Sequence, residues 1–148
     1  MKIDDTDKSI LNTILKNSRM SCREIAKKAG VSVVTVLKRM KALEKRRIIK
    51  SYTAELDYEK IGYDIEVIIL MRIAKGRLFE VEKKIASNQN VHAIYDVTGK
   101  YDAMIIGRFR NRKSMDVFLK NIQTFGFVER TETILVLNVI KEENIGVS

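Results

Sequence analysis

The chain has 148 residues, 45% of them hydrophobic, with 28 Lys and Arg against 19 Asp and Glu for a net charge of +9. That content suits one medium or two small cores and excludes a disordered tail; no apolar run nears the roughly 18 residues of a membrane helix and residues 1–5 lack a signal-peptide layout, so a soluble, cytoplasmic protein is expected. One cysteine, Cys22, and one histidine, His92, exclude an intrachain disulfide and a Cys/His metal cage, and no cofactor motif is expected.

Along the chain, Thr6 or Asp7 caps a first predicted helix whose stripe is Ile10, Leu11, Ile14 and Leu15. Residues 21–45, SCREIAKKAGVSVVTVLKRMKALEK, read as two more helices joined by a sharp turn. Ser21 with Glu24 three residues on forms a capping box, so the first of them begins near Cys22 and turns Cys22, Ile25, Ala26 and Ala29 inward. Gly30 stands where the chain leaving that helix needs positive φ. Ser32 caps the next, with Val33, Val36, Leu37, Met40 and Leu43 on its apolar arc. At 100° per residue, Val34, Thr35, Lys38, Lys41 and Ala42 face outward. A small residue at Ala26, the Gly30 turn and apolar Val36 make this a helix-turn-helix, and residues 3–47 a single cooperative unit of three helices.

Residues 48–56 are β-branched and aromatic, suited to a wing or to a strand that pairs with a second subunit, and residues 57–64 read as a linker. Then come a strand at 65–73, a helix at 77–87, a strand at 91–98, a type II′ turn at Gly99 and Lys100, a strand at 101–109, a helix at 114–125 and a strand at 127–140. The order βαββαβ predicts an α+β, ferredoxin-like domain: a four-stranded antiparallel sheet with both helices on one face. Residues 1–56 are thus expected to form one domain and residues 65–148 another. The first strand is apolar on both sides, with Ile65, Val67, Ile69, Met71 and Ile73 on one and Ile68 and Leu70 on the other. Such a sheet cannot leave its open face to water, and a two-fold dimer is the economical cover.

The positive charge is localised. Residues 1–60 carry 15 Lys and Arg against 8 Asp and Glu, whereas residues 61–148 carry 13 against 11. An excess confined to the half with the helix-turn-helix is the footprint of a polyanion binder. Double-stranded DNA is the expected partner, with a dimer presenting two recognition helices to a pseudo-palindromic operator. Ser32, Val34, Thr35, Lys38 and Arg39 are expected at the duplex, Thr35 and Lys38 nearest base edges, and Arg39, Arg23, Lys27 and Lys28 nearer phosphate.

The whole chain resembles the Lrp/AsnC, or feast/famine, transcriptional regulators. The resemblance rests on Asp7-Lys8-Ser9-Ile10-Leu11, Ser21-Cys22-Arg23-Glu24-Ile25-Ala26, Gly30-Val31-Ser32, Arg39-Met40-Lys41-Ala42-Leu43-Glu44 (the family's R-[VI]-x-x-L-E), and residues 48–54. In the second half, Gly99-Lys100-Tyr101-Asp102 is similar to the family's G-x-[YF]-D hairpin and Thr131-Glu132-Thr133 to its T-x-T. Val33 and Tyr58 stand where the family commonly has proline.

The resemblance implies a transcription regulator that dimerises through its sheet domain, often assembles to tetramers or octamers, and responds to an amino-acid effector. It places the effector at Gly99, Tyr101, Asp102, Thr131 and Thr133: turn amides for a carboxylate, Asp102 for an ammonium, threonine hydroxyls to complete the shell. Two other readings compete. Sirohaem decarboxylases resemble the same architecture, but a lone His92 and no clustered carboxylate pair in the sheet domain argue against catalysis. A chromatin-like packaging protein would also suit the basic half.

Overall fold

A computed structural model describes residues 2–74 and 76–148. The chain divides into two compact units, residues 1–55 with 141–148, and residues 56–140. The last eight residues therefore group with the helices, whereas the sequence alone puts 65–148 in one domain.

The first unit holds α1 (Asp5–Lys16), α2 (Cys22–Ala29) and α3 (Val33–Lys45). The cap of α1 is Asp4, not Thr6 or Asp7. Its carboxylate accepts from the Asp7 amide at 2.8 Å, and the Asp7 carboxylate accepts in return from the Asp4 amide at 3.3 Å. The Asp7 amide, ahead of the Arg39 guanidinium, holds the Asp4 carboxyl below its ordinary range. Ser21 and Glu24 form the expected box on α2, where the Ser21 hydroxyl and amide lower the Glu24 pKa. Gly30 takes φ +66, the left-handed conformation a side chain there would strain.

Ile10, Leu11, Ile14, Ile25, Ala26, Val36, Leu43 and Ile49 form the core, in which each larger aliphatic side chain contributes about 1.5–3 kcal/mol when fully buried. Leu15 and Leu37, expected inside, are exposed. The apolar arcs buried on α1 and α3 are therefore narrower than the pattern suggests. Residues 50–57 form no strand; Tyr52 instead donates to Glu44 at 2.8 Å, and its burial, then Glu44, pushes its pKa up to about 12.

The second unit is βαββαβ: β1 (Ile65–Ile73), α4 (Leu78–Ala86), β2 (Val91–Asp96), β3 (Ala103–Phe109), α5 (Arg112–Gln123) and β4 (Val128–Leu135). The strands lie in the order β2-β3-β1-β4, all antiparallel. Val67, Ile69, Met71 and Ile73 pack with Ala103, Ile105 and Phe109 against Val81 and Ile85 of α4 and Phe118 and Ile122 of α5, so both helices cover one face. On the other face Ile68 is opposite Ile106, Leu70 opposite Met104, and Glu66 opposite Arg108. There the Arg108 Nε lies 3.0 Å from Glu66 and its guanidinium 4.5 Å over the Tyr58 ring.

Three strands are shorter than predicted: β2, β3 and β4. The β2–β3 register would centre the turn on Gly99 and Lys100, as expected, but the ladder stops at Asp96 and Ala103, with one further bond from Val97 N to Asp102 O. β4 ends at Leu135, not at residue 140: it pairs with Val67 near the start of β1, and beyond the Val136 bond to Glu66 O it has no partner left.

Candidate nucleic-acid interface and effector loop

Helix α3 carries the outward face that the 100° spacing implies. Val34 is 75% exposed, and Lys38, Lys41 and Lys45 are exposed beside it at four- and three-residue steps. Arg23, Lys27 and Lys28 are exposed on α2. The stripe is slim, with no aromatic residue among these, and every charge on it is positive. It can donate to phosphate oxygens and to guanine acceptors, and Val34 can meet a thymine methyl. Lys41 and Lys45 extend the stripe beyond the expected contact set; the helical angle already turned Lys41 outward.

Three expected contacts are already engaged within the protein. The Ser32 Oγ accepts from the Thr35 amide at 3.1 Å and lies 2.8 Å from the Thr35 Oγ1, so both hydroxyls serve the helix start. Arg39 is the most firmly engaged of the three. Its Nη1 is 2.7 Å from the Asp4 carboxylate and 3.3 Å from that of Asp7, which is 2% exposed. A buried carboxylate needs a counter-charge, and Arg39 supplies it, so this side chain ties α3 to the start of α1.

In the sheet unit, Gly99 adopts φ +112 at the turn. Asp102 is spent on backbone: its Oδ2 accepts from the Ile73 amide at 2.8 Å and its own amide donates to Met71 O at 2.8 Å. Thr131 lies opposite that same Met71 and Thr133 opposite Ile69. Asp102 and Thr131 thus flank one end of β1 from either side. Tyr101 donates to Glu132, which sits between the two threonines. Asp102 and Thr131 therefore meet near one end of β1, with Asp102 first of all the residue that fastens the loop to it, while Tyr101 reaches Glu132 and Thr133 lies at mid-strand opposite Ile69.

Next to this loop is a feature the sequence did not reveal. Oε1 of Glu82 on α4 is buried without a hydrogen-bond donor among the described residues, facing Asp96 at the end of β2. Burial, then Asp96, pushes the Glu82 pKa up to about 7. The folded state then holds a proton that the unfolded chain releases near 4.5, and stability is expected to fall as pH rises from 4.5 through about 7. Denaturation midpoints across that range test this: Glu82→Gln, which keeps a donor at all pH values, should flatten the profile, and an unchanged slope would remove the raised Glu82 pKa as its cause.

Among the described residues no group of three or more His, Cys, Asp or Glu could hold a metal ion. No described helix is long and apolar enough to cross a membrane.

Known proteins match both units. Residues 3–50 match the model for the winged helix-turn-helix DNA-binding domain, and residues 66–145 that for the Lrp/AsnC ligand binding domain. An uncharacterized HTH-type transcriptional regulator of Pyrococcus horikoshii is 43% identical over 143 residues, covering 97% of each chain. The HTH-type transcriptional regulator FL11 of Pyrococcus furiosus is 34% identical over 140 residues, 95% of this chain and 93% of that one. Escherichia coli AsnC superposes with a TM-score of 0.92 at 27% identity, over 99% of this chain and 100% of its own. A transcriptional regulator of Neisseria meningitidis in complex with L-Met superposes with a TM-score of 0.91 at 23% identity, covering 99% and 97%.

Proposed function

We propose, from the premise that this chain belongs to the Lrp/AsnC family of DNA-binding transcriptional regulators, that it acts as a homodimer or higher oligomer on a pseudo-palindromic operator and that an amino acid sets its activity. Supporting the DNA half is the exposed Val34, Lys38, Lys41 and Lys45 stripe, with Arg23, Lys27 and Lys28 beside it for phosphate. Supporting the dimer is the half-buried apolar face of Ile68, Leu70, Met104 and Ile106 on the side of the sheet that carries no helix.

The observation that carries the effector reading is the meeting of Asp102 and Thr131 beside Met71 at one end of β1, with the Gly99 turn and Tyr101 on the same hairpin as Asp102. The Neisseria relative of the same fold was solved with L-Met, which makes an amino acid the class to test first. Asp102 would meet an ammonium through Oδ1, since Oδ2 is held by Ile73. We place the protein in the cytoplasm, with its operator, and assign it no catalysis; relatives matching nearly its whole length are named as regulators.

Calorimetric titration with the common amino acids tests the effector site. The Asp102→Asn variant keeps an oxygen for the Ile73 amide and removes only the charge, so the loop stays fastened. One or more amino acids should bind the wild type, and Asp102→Asn should weaken that binding by on the order of tenfold or more, the worth of one charge-assisted bond. No heat from any amino acid, or equal binding by the variant, overturns the assignment.

A further inference from the structure

We infer that Asn12 is a positioning residue for DNA recognition: it latches residues 141–148 onto α1 and thereby limits the half-site spacings the regulator accepts. Past β4, Leu137 is 82% and Ile140 92% exposed, and no strand forms. The chain nevertheless returns to the helices. The Asn12 carboxamide meets both backbone groups of one residue, Nδ2 donating to Val147 O at 2.9 Å and Oδ1 accepting from Val147 N at 2.7 Å. A side-chain amide is here doing what a paired strand does, satisfying an N–H and a C=O at once. Gly146 suits the approach, since a Cβ there would stand 3.3 Å from the Asn12 Oδ1. Val147 also packs against the helical core.

The consequence is topological. The chain passes from the helical unit to the sheet unit at residue 55 and returns at residue 141. The entry strand β1 and the exit strand β4 are neighbours, with Val67 opposite Leu135, so both connections leave the same end of one strand pair. A unit hung on one connection can swivel about it; a second connection beside the first removes much of that freedom once its far end is fixed. The latch fixes that end. In a dimer, the freedom of each helix-turn-helix sets how far the two recognition helices can be moved apart or rotated and still reach both half-sites. The spacing role rests on the dimer reading above; the latch itself does not.

Two measurements on the full chain separate these. Hydrogen exchange of the C-terminal peptide, read by mass spectrometry, should find the Val147 amide protected in the wild type and open in Asn12→Ala; Val147→Pro, which has no amide at that position, serves as the second unlatched variant in the DNA measurement. The second variant removes the donor without touching α1, so it guards against a folding defect. Duplexes selected from a random library by the wild type are then rebuilt with half-sites a few base pairs nearer or farther. The wild type should lose on the order of tenfold or more on the altered spacings, and both variants clearly less, while their affinity for a single half-site is unchanged. A merely stabilising latch would lower affinity for all duplexes alike. Free exchange of Val147 in the wild type overturns the latch. Protection with unaltered spacing preference in both variants overturns the positioning role, and a monomer on sizing takes the spacing role down with the dimer reading.

Discussion

Replacing Arg39 by alanine is expected to destabilise the helical unit by about 2–3 kcal/mol, toward the lower side of what breaking a buried ion pair costs because Arg39 itself is partly exposed. The cause is Asp7. With Arg39 removed, a carboxylate that is 2% exposed keeps its charge in a low-dielectric site beside the Asp4 carboxylate and loses the cation that faces both. In a DNA-binding assay this variant would resemble the loss of a phosphate contact, because a partly unfolded recognition helix binds nothing. The double variant Arg39→Ala with Asp7→Asn resolves the two. A neutral amide at position 7 no longer needs a counter-charge, so the double should recover most of the stability in chemical denaturation, and DNA binding with it. Recovery of the fold without recovery of binding would mean that Arg39 does touch the duplex.

The second large effect lies on the exposed stripe, where stability should hardly change. Lys38→Ala is expected to relax preference at one base position and to cost about 1–3 kcal/mol on the operator, the worth of a good base contact. Lys28→Ala, on α2, should weaken operator and random DNA alike and reduce the slope of log affinity against log salt by about 0.9, the signature of one phosphate. Affinity measured on both DNAs across a salt series distinguishes them. Equal losses on operator and random DNA for Lys38→Ala would move that lysine from base edges to the backbone, and Lys41 or Lys45, on the same face, would become the specificity candidate.

How much of this was legible beforehand depended on distance along the chain. The caps at Ser21 and Ser32 with the Gly30 turn, and the bounds of α2 and β1, follow from residues within four positions of one another, and all stand in the structure. The cap of α1 was misplaced because Asp4, Thr6 and Asp7 are each competent, and only the reciprocal bonds between Asp4 and Asp7 select the first. The candidate DNA face was half legible. Helical angle pointed Val34, Lys38 and Lys41 outward, but it could not foresee that Arg39, near the edge of that arc, would find Asp7 32 residues earlier. The candidate effector loop was legible as a motif and not as chemistry: the spacing of Gly99 and Asp102 marked the hairpin, while the use of Asp102 to hold Ile73 needed the register of β1 beside β3.

By itself, then, the sequence determined the order of elements, the two-sided first strand, and the concentration of positive charge beside a narrow outward helix. Each is a property of periodicity and local composition, which short-range sterics and solvation read directly. Only the tertiary structure decided that Arg39 pairs with the buried Asp7 carboxylate, that Glu82 is buried facing Asp96, and that residues 141–148 come home to Asn12, 135 positions from Val147. Those outcomes turn on which polar groups are buried together after the chain has closed, and partners so far apart in sequence are chosen by packing, because a polar group shut away from water must find its complement wherever the fold provides one.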